Sequence, residues 1–330
     1  GGVLRARRYS RRYSHDLTGS APIVFVMTSA QYASFLPAKY RDVVPPVSTT
    51  WRWRDLDVHI ARSRTSDAPV KMMALHGAGG HSGALWPFAS LAASRGADVL
   101  FPDMPLYGRT VVPDAGKVTY LDWVEMLCDL VVAEQDRDPR PLVLFGASMG
   151  GMLAYEVAAR TGAVADVVAT CLLDPSDPDA RSAAARFGFL GRYAPKPLAF
   201  TAALLGRVRV PIRWLMDIDS MSADPELSAL CASDPLGGGV SVPVGFLSSY
   251  MSFRHFPPEH FYGPEVTLVH PGADEWTTPE LSVKFLDRIA GPTKSVMLEG
   301  CGHFPIEEPG LSQLIETMED IARKHGWRPS

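Results

Sequence analysis

One stretch, Pro141 to Gly151, constrains this chain more than any other. Leu142, Val143, Leu144 and Phe145 run straight into Gly146-Ala147-Ser148-Met149-Gly150, and Met152 to Ala159 behind them has helical spacing and composition. A strand, a very tight turn and a helix therefore meet at one serine. A side chain at 146 or 150 would collide where the strand doubles back into the helix, which is the reason for glycine at both. Ser148 is expected in a strained, exposed position at the helix N-terminus, where backbone N–H groups can receive developing negative charge.

The rest of the chain has to supply a core around that turn, and 330 residues suffice for one large core plus an inserted subdomain. With 46% hydrophobic and 21% charged residues the composition is that of a loop-rich globular protein. A net charge of −4 gives no reason to expect nucleic acid as a partner. Cys128, Cys171, Cys231 and Cys301 show no C-x-x-C spacing, so neither a zinc site nor a disulfide framework is suggested. No apolar run approaches the roughly 18 residues of a membrane span. Residues 1–45 read as a basic extension, with Arg5, Arg7, Arg8, Arg11 and Arg12 crowded at its start. Such an arm suits weak contact with acidic lipid headgroups. Ser10-Arg11-Arg12-Tyr13 faintly resembles a twin-arginine export signal, but Asp16 and the short apolar run Ile23 to Met27 argue for a cytoplasmic chain.

From Val47 onward strands alternate with helices. Val47 to Trp53, Asp57 to Arg62, Val70 to Leu75, Asp98 to Phe101, Val164 to Leu173, Glu265 to His270 and Ser295 to Leu298 read as strands. Leu85 to Ala93, Tyr120 to Glu134 and Leu311 to His325 read as helices. This alternation predicts a mostly parallel sheet covered on both faces, with the site on the edge where the strands' C-terminal ends lie. Between 175 and 255 the alternation stops. Pieces such as Ser182 to Leu190 and Pro197 to Leu205, punctuated by Pro and Gly, predict an inserted cap, with 46–174 and 256–330 forming the core.

A serine hydroxyl is a poor nucleophile at neutral pH, so Ser148 needs a base and a third group to orient that base. His303, in the Gly-rich loop Glu299 to Pro305 after the last strand, is the candidate base. The acid should follow Ser148 and precede His303 in a strand–turn–helix fold of this kind. Asp274, in His270 to Pro279, fits best; Asp174 is the rival and Glu275 a weaker one. Two backbone donors must receive the oxyanion. One is the N–H of Met149, and the other is assigned to Ala78 in the small-residue loop His76-Gly77-Ala78-Gly79-Gly80. His76 is read as organising that loop, with Gly77 and Gly79 letting the backbone approach a substrate.

Taken together these motifs resemble an α/β-hydrolase, and within that superfamily the chain is similar to the monoacylglycerol lipase and lysophospholipase group. His76 to Gly79 with His81-Ser82-Gly83 resembles that group's oxyanion loop, and Ser148 its elbow, although the group usually has His where Ala147 stands. Met221 to Pro225 and Asp234-Pro235-Leu236 resemble its cap. Asp103 to Thr110 departs from the usual Asp-x-x-Gly-His-Gly-x-Ser. The resemblance, which covers about residues 47 to 325, implies an eight-stranded, mostly parallel α/β-hydrolase sheet with an inserted helical cap. It implies hydrolysis of a small-molecule ester, with an apolar acyl group, through an acyl-enzyme and without metal or organic cofactor. Acyl transfer, cofactor-free peroxidation, C–C bond hydrolysis and non-catalytic ligand binding are the alternatives on the same fold. Epoxide hydrolases and haloalkane dehalogenases carry Asp at the elbow and are disfavoured by Ser148. Phe187, Phe189, Leu190, Phe200, Leu204, Phe246 and Met251 could line an acyl channel, and Trp86 and Tyr107 border its entrance, although residues of this kind are more often simple core.

Overall fold

The structure, a computed structural model, describes residues 13–14, 29–63, 65–184 and 195–329. Its strands are β1 (Tyr13–Ser14), β2 (Val47–Trp53), β3 (Leu56–Arg62), β4 (Val70–Leu75), β5 (Ala97–Pro102), β6 (Leu142–Gly146), β7 (Asp166–Ala169), β8 (Arg209–Pro211), β9 (Ser241–Pro243), β10 (Glu265–Pro271) and β11 (Thr293–Leu298). All but β8 and β9 form one sheet in the order β1-β2-β3-β5-β4-β6-β7-β10-β11. The eight expected strands are there, and the two-residue β1 lengthens the antiparallel edge by pairing with β2. From β5 to β11 every pairing is parallel. Strands β4 and β7 are buried at every residue, as a sheet covered on both faces requires.

Helices Ser82–Ala93 and Gly310–Lys324 pack against each other, and Tyr120–Arg137 packs on Met149–Thr161. The C-terminal helix turns Leu311, Leu314, Ile315, Met318 and Ala322 inward at helical spacing, so one apolar stripe seats it. The chain runs β4, β5, β6 in sequence, yet β4 lies between the other two. The loops leaving β4 and β6 therefore diverge over one crevice at the C-terminal edge of the sheet, the usual place for a ligand in such folds. The turn carrying Ser148 and the loop from His76 meet in that crevice.

Three expectations are corrected by the structure. The strand read as Val164 to Leu173 spans only Asp166–Ala169, where its pairings with both β6 and β10 end. The segment from 175 to 255 holds helices Pro178–Ala184, Pro195–Leu205, Pro225–Ser233 and Val244–Ser252, but also the small antiparallel ribbon of β8 and β9. Three-residue strands ending in proline carry too little alternation to be read from sequence. The acyl-channel residues fall elsewhere: Phe200 and Leu204 point outward at 73% and 74% exposure, and Phe246 is buried against Trp123, ring centroids 4.8 Å apart. Trp86 and Tyr107 are likewise buried in the core. Phe187, Phe189, Leu190 and the basic residues Arg5 to Arg12 lie outside the described residues. Among those described, no helix is long and apolar enough to cross a membrane, and the four cysteines are free thiols.

The tight turn after β6 predicts two different costs for glycine substitution. A Cβ on Gly146 would lie 2.1 Å from the Gly150 carbonyl oxygen, whereas one on Gly162, at φ 58°, meets nothing within 4 Å. Gly162→Ala should cost about 1–2 kcal/mol in urea unfolding, the left-handed penalty alone. Gly146→Ala should exceed it by more than about 2 kcal/mol, because backbone must move. Equal losses would mean that the turn is not sterically closed.

Candidate active site

Ser148 sits at φ 55° and ψ −126°, a conformation rarely adopted by a residue with a side chain. Several contacts hold it there. The Ala147 N–H donates to the Leu75 carbonyl at 2.9 Å, which ties the turn to the end of β4. The Ser148 N–H donates to Thr170 Oγ1 at 2.9 Å, and the Gly150 and Gly151 amides start the following helix on Ala147 and Ser148. A Cβ on Gly150 would lie 2.2 Å from the Leu75 oxygen, so only glycine lets turn and strand close up.

The loops after β10 and β11 bring the two other predicted side chains to this serine. Ser148 Oγ is 3.1 Å from His303 Nε2, and His303 Nδ1 is 2.7 Å from Asp274 Oδ2. With Nδ1–H donating to the carboxylate, Nε2 is left as the acceptor facing the hydroxyl. Asp274 is buried and fully occupied: the Trp276 and Thr277 N–H groups donate to Oδ1 at 3.0 and 2.9 Å, and the Thr277 hydroxyl donates to Oδ2 at 2.7 Å. Burial alone would raise the Asp274 carboxyl, but the hydrogen bonds from His303 and Thr277 hold it below its ordinary value. Trp276 packs on the imidazole, ring centroids 4.6 Å apart. The rival Asp174 instead accepts from Ser176 N and Oγ at 2.8 and 2.6 Å and lies 3.5 Å from His255, and Glu275 is exposed. The buried Cys171 thiol beside Ser148 is pushed up to about 12 by burial, so it stays protonated at neutral pH.

His76 is bonded to the backbone around the loop after β4 through both ring nitrogens. The Met104 N–H donates to Nε2 at 2.9 Å, which leaves Nδ1–H to donate to the Gly77 carbonyl at 2.7 Å. The Gly80 N–H donates to that same carbonyl at 3.2 Å, closing a turn in which Gly79 has φ 75°. Because the Gly77–Ala78 peptide is planar and trans, pinning the carbonyl on one side sends the Ala78 N–H to the other. Gly77 packs directly on the Ser148 turn, where a Cβ would lie 2.9 Å from the Met149 nitrogen. Burial holds the His76 imidazole at about 4, far below 6.5.

Beneath the loop lies Asp103, fully buried, which the sequence marked only as the start of a departing motif. Its Oδ1 accepts the Ser82 N–H at 2.7 Å, and its Oδ2 accepts from His59 Nδ1 and the Arg109 N–H, both at 2.8 Å. Burial would raise this carboxyl, but the His59 partner keeps it well below the usual carboxylate range. Leu106 adopts φ 85° at the position where the resembling family has glycine, and Tyr107 replaces the family's histidine by packing edge-on against His76. Sequence reasoning also missed Thr277 and Thr170. An Asp followed three residues later by Thr is a recognisable local turn signal, whereas nothing around Thr170 marks it.

Ser148, His303 and Ala78 line a cavity of about 100 Å³ whose remaining wall is almost entirely apolar. A model of the alpha/beta hydrolase family matches residues 73–311. The AMB antimetabolite synthetase AmbE of Pseudomonas aeruginosa is 38% identical over 119 residues, 36% of this chain, and the chain spans only 5% of that protein's length. A soluble variant of monoglyceride lipase from Saccharomyces cerevisiae, in complex with a substrate analogue, superposes with a TM-score of 0.70 at 15% identity, covering 87% of this chain and 97% of that one. The monoacylglycerol lipase of Paleococcus ferrophilus does so at 0.63 and 19%, covering 82% and 99%.

The buried, neutral His76 predicts a pH-dependent stability. Its folded value lies below the unfolded one, so between pH 6.5 and about 4 the unfolded chain binds the extra proton and stability falls as pH falls. By pH 4 the loss is about 3 kcal/mol. The drop in urea midpoint across this window should be smaller in His76→Gln than in wild type; equal drops would show that His76 is not held neutral.

Proposed function

The chain belongs to the alpha/beta hydrolase family, and from that premise we propose that it is a serine hydrolase cleaving carboxylic esters through an acyl-enzyme. One observation carries this reading: the unbroken chain Ser148 Oγ, His303 Nε2, His303 Nδ1, Asp274 Oδ2, with steps of 3.1 and 2.7 Å, at the mouth of an apolar cavity. In this mechanism His303 Nε2 takes the Ser148 proton as Oγ bonds to the ester carbonyl carbon. Asp274 keeps Nδ1 protonated and stabilises the imidazolium. Negative charge collecting on the carbonyl oxygen is received by the N–H groups of Met149 and Ala78, a role favoured by the way His76 and Gly80 hold the Gly77 carbonyl aside. As the oxyanion collapses, the C–O bond to the alcohol breaks and His303 returns the proton to the leaving oxygen. Water, deprotonated by His303, then attacks the acyl carbon, releasing the carboxylic acid and restoring the Ser148 hydroxyl.

Substrates of this class are amphiphilic esters of the monoacylglycerol kind, with the apolar acyl part in the cavity. The described residues of 175–255 are read as part of a cap over its mouth: Met221 and Cys231 contribute to the lining, and the Met221 carbonyl accepts the Phe304 N–H at 2.9 Å beside His303.

A fluorophosphonate probe should label wild type and leave Ser148→Ala unlabelled; labelling of the variant would remove Ser148 as nucleophile. Asp274→Asn should lower kcat by about ten-thousandfold. Asp174→Asn should stay within about threefold of wild type, since its partners are Ser176 and His255. The opposite ranking would transfer the acid's role to Asp174.

A further inference from the structure

Of the described residues in 175–255, Met221 and Cys231 touch the cavity beside Ser148, and most of its other lining residues belong to the core. It descends into the core, between the sheet and two helices, and its shape comes from alanines where larger residues would be expected. On the sheet, Ala74 of β4 pairs directly with Phe145 of β6. On β5, Phe101 follows the Leu100 that pairs with Met73, so it occupies the next position in the same row. An alanine between two phenylalanines leaves a furrow. Met72, two residues earlier and therefore on the same face, lies at its lower end. The facing wall is a stripe of helix Ser82–Ala93 at helical spacing, Leu85, Phe88, Ala89 and Ala92, and Leu314 and Met318 of the C-terminal helix close the third side.

The furrow's depth follows from regular geometry. Leu75 to Met72 spans three strand residues, about 10 Å, and Leu85 to Ala92 spans seven helical residues, also about 10 Å, which is room for an acyl chain of about eight carbons. Its chemistry is equally restrictive. The hydroxyls among its lining residues sit near the mouth and are engaged: Thr170 accepts the Ser148 N–H and the Tyr32 hydroxyl donates to Asp234 at 2.9 Å. A polar or charged acyl substituent would find no partner lower down.

We infer that this furrow is the acyl-binding subsite and that it selects straight, unsubstituted acyl chains of about eight carbons, with Ala74 and Ala92 as specificity-determining residues. The inference rests on the serine-hydrolase reading for its kinetic consequence, but the furrow itself can be tested without turnover.

The kinetic test is kcat/KM across p-nitrophenyl acetate, butyrate, octanoate, dodecanoate and palmitate. The value should rise by about fourfold for each added methylene as far as octanoate and then fall. Ala92→Phe, which fills the closed end, should lower the octanoate-to-butyrate ratio by about a hundredfold. Met318→Ala, which opens that end, should move the optimum to longer chains. The binding test is calorimetry of octanoate on Ser148→Ala: binding is expected, and it should be lost in Ser148→Ala with Ala92→Phe, near-UV circular dichroism confirming the native fold of each. A flat chain-length profile, or unchanged ratios and octanoate binding in a folded Ala92→Phe protein, overturns the assignment. If no ester is cleaved and fluorophosphonate does not react, the hydrolase reading fails separately and octanoate binding alone decides the furrow.

Discussion

The close approach of the turn after β6 to the end of β4 is the constraint on which the other features depend. A Cβ on Gly150 would stand 2.2 Å from the Leu75 oxygen and one on Gly146 2.1 Å from the Gly150 oxygen, so the turn closes on itself and on β4 only because neither has a side chain. It forces Ser148 into a left-handed backbone, lifts its hydroxyl out of the sheet edge and starts a helix directly behind it. The strain costs about 1–3 kcal/mol and is offset by the surrounding contacts: Leu75 and Thr170 each hold one backbone N–H of the turn, and the first turn of the helix holds two of its carbonyls. A side chain placed this way has the next residue's N–H beside it, so the proposed nucleophile and one proposed oxyanion donor come from the same few residues.

Around this turn the crevice is shaped by buried polar groups whose hydrogen-bonding capacity is used up. Asp103 gathers His59, the start of helix Ser82–Ala93 and the backbone at Arg109. Asp234 gathers His81, the Tyr32 hydroxyl and the Leu236 N–H, joining three distant parts of the chain near the cavity mouth. Such carboxylates are tolerable in a core only when every oxygen is partnered, because an unpaired buried charge costs several kcal/mol. That requirement makes the loops stiff. His76, neutral and doubly bonded, carries the same stiffness to the Gly77 carbonyl, and so to the direction of the Ala78 amide.

The departures from the resembling family acquire physical reasons in this setting. Leu106 stands at a left-handed position normally given to glycine, so the loop from Asp103 to Thr110 keeps its backbone path at the expense of local strain. Tyr107 keeps a large ring against His76, and burial pushes its hydroxyl well above the ordinary tyrosine value, so it stays neutral there. The acyl-channel possibility weighed from sequence against simple core packing has one physical weakness. Phe200, Leu204 and Phe246 were apolar residues in the right region, but apolar character says only that a side chain prefers burial, not which surface it meets. Phe246 found Trp123, while Phe200 and Leu204 remained outside. Thr170 was invisible because its role is a single hydrogen bond to an amide 22 residues earlier in the chain.

The order strand, glycine, serine, glycine, helix is local, and steric exclusion among neighbouring residues suffices to determine it; the sequence therefore carried the turn, the parallel alternating sheet and the Gly-rich loops bearing His303 and Asp274. The sequence placed Asp274 after β10 and its rival Asp174 after β7, yet the distances of 3.1 and 2.7 Å exist because β10 and β11 bring their loops to the same edge as β6. The cavity belonged wholly to tertiary structure. Ala74, Ala89 and Ala92 are unremarkable along the chain. They leave a furrow only because β4 and helix Ser82–Ala93 face each other across it, and space left by missing side chains on separate elements has no signature in any one segment of sequence.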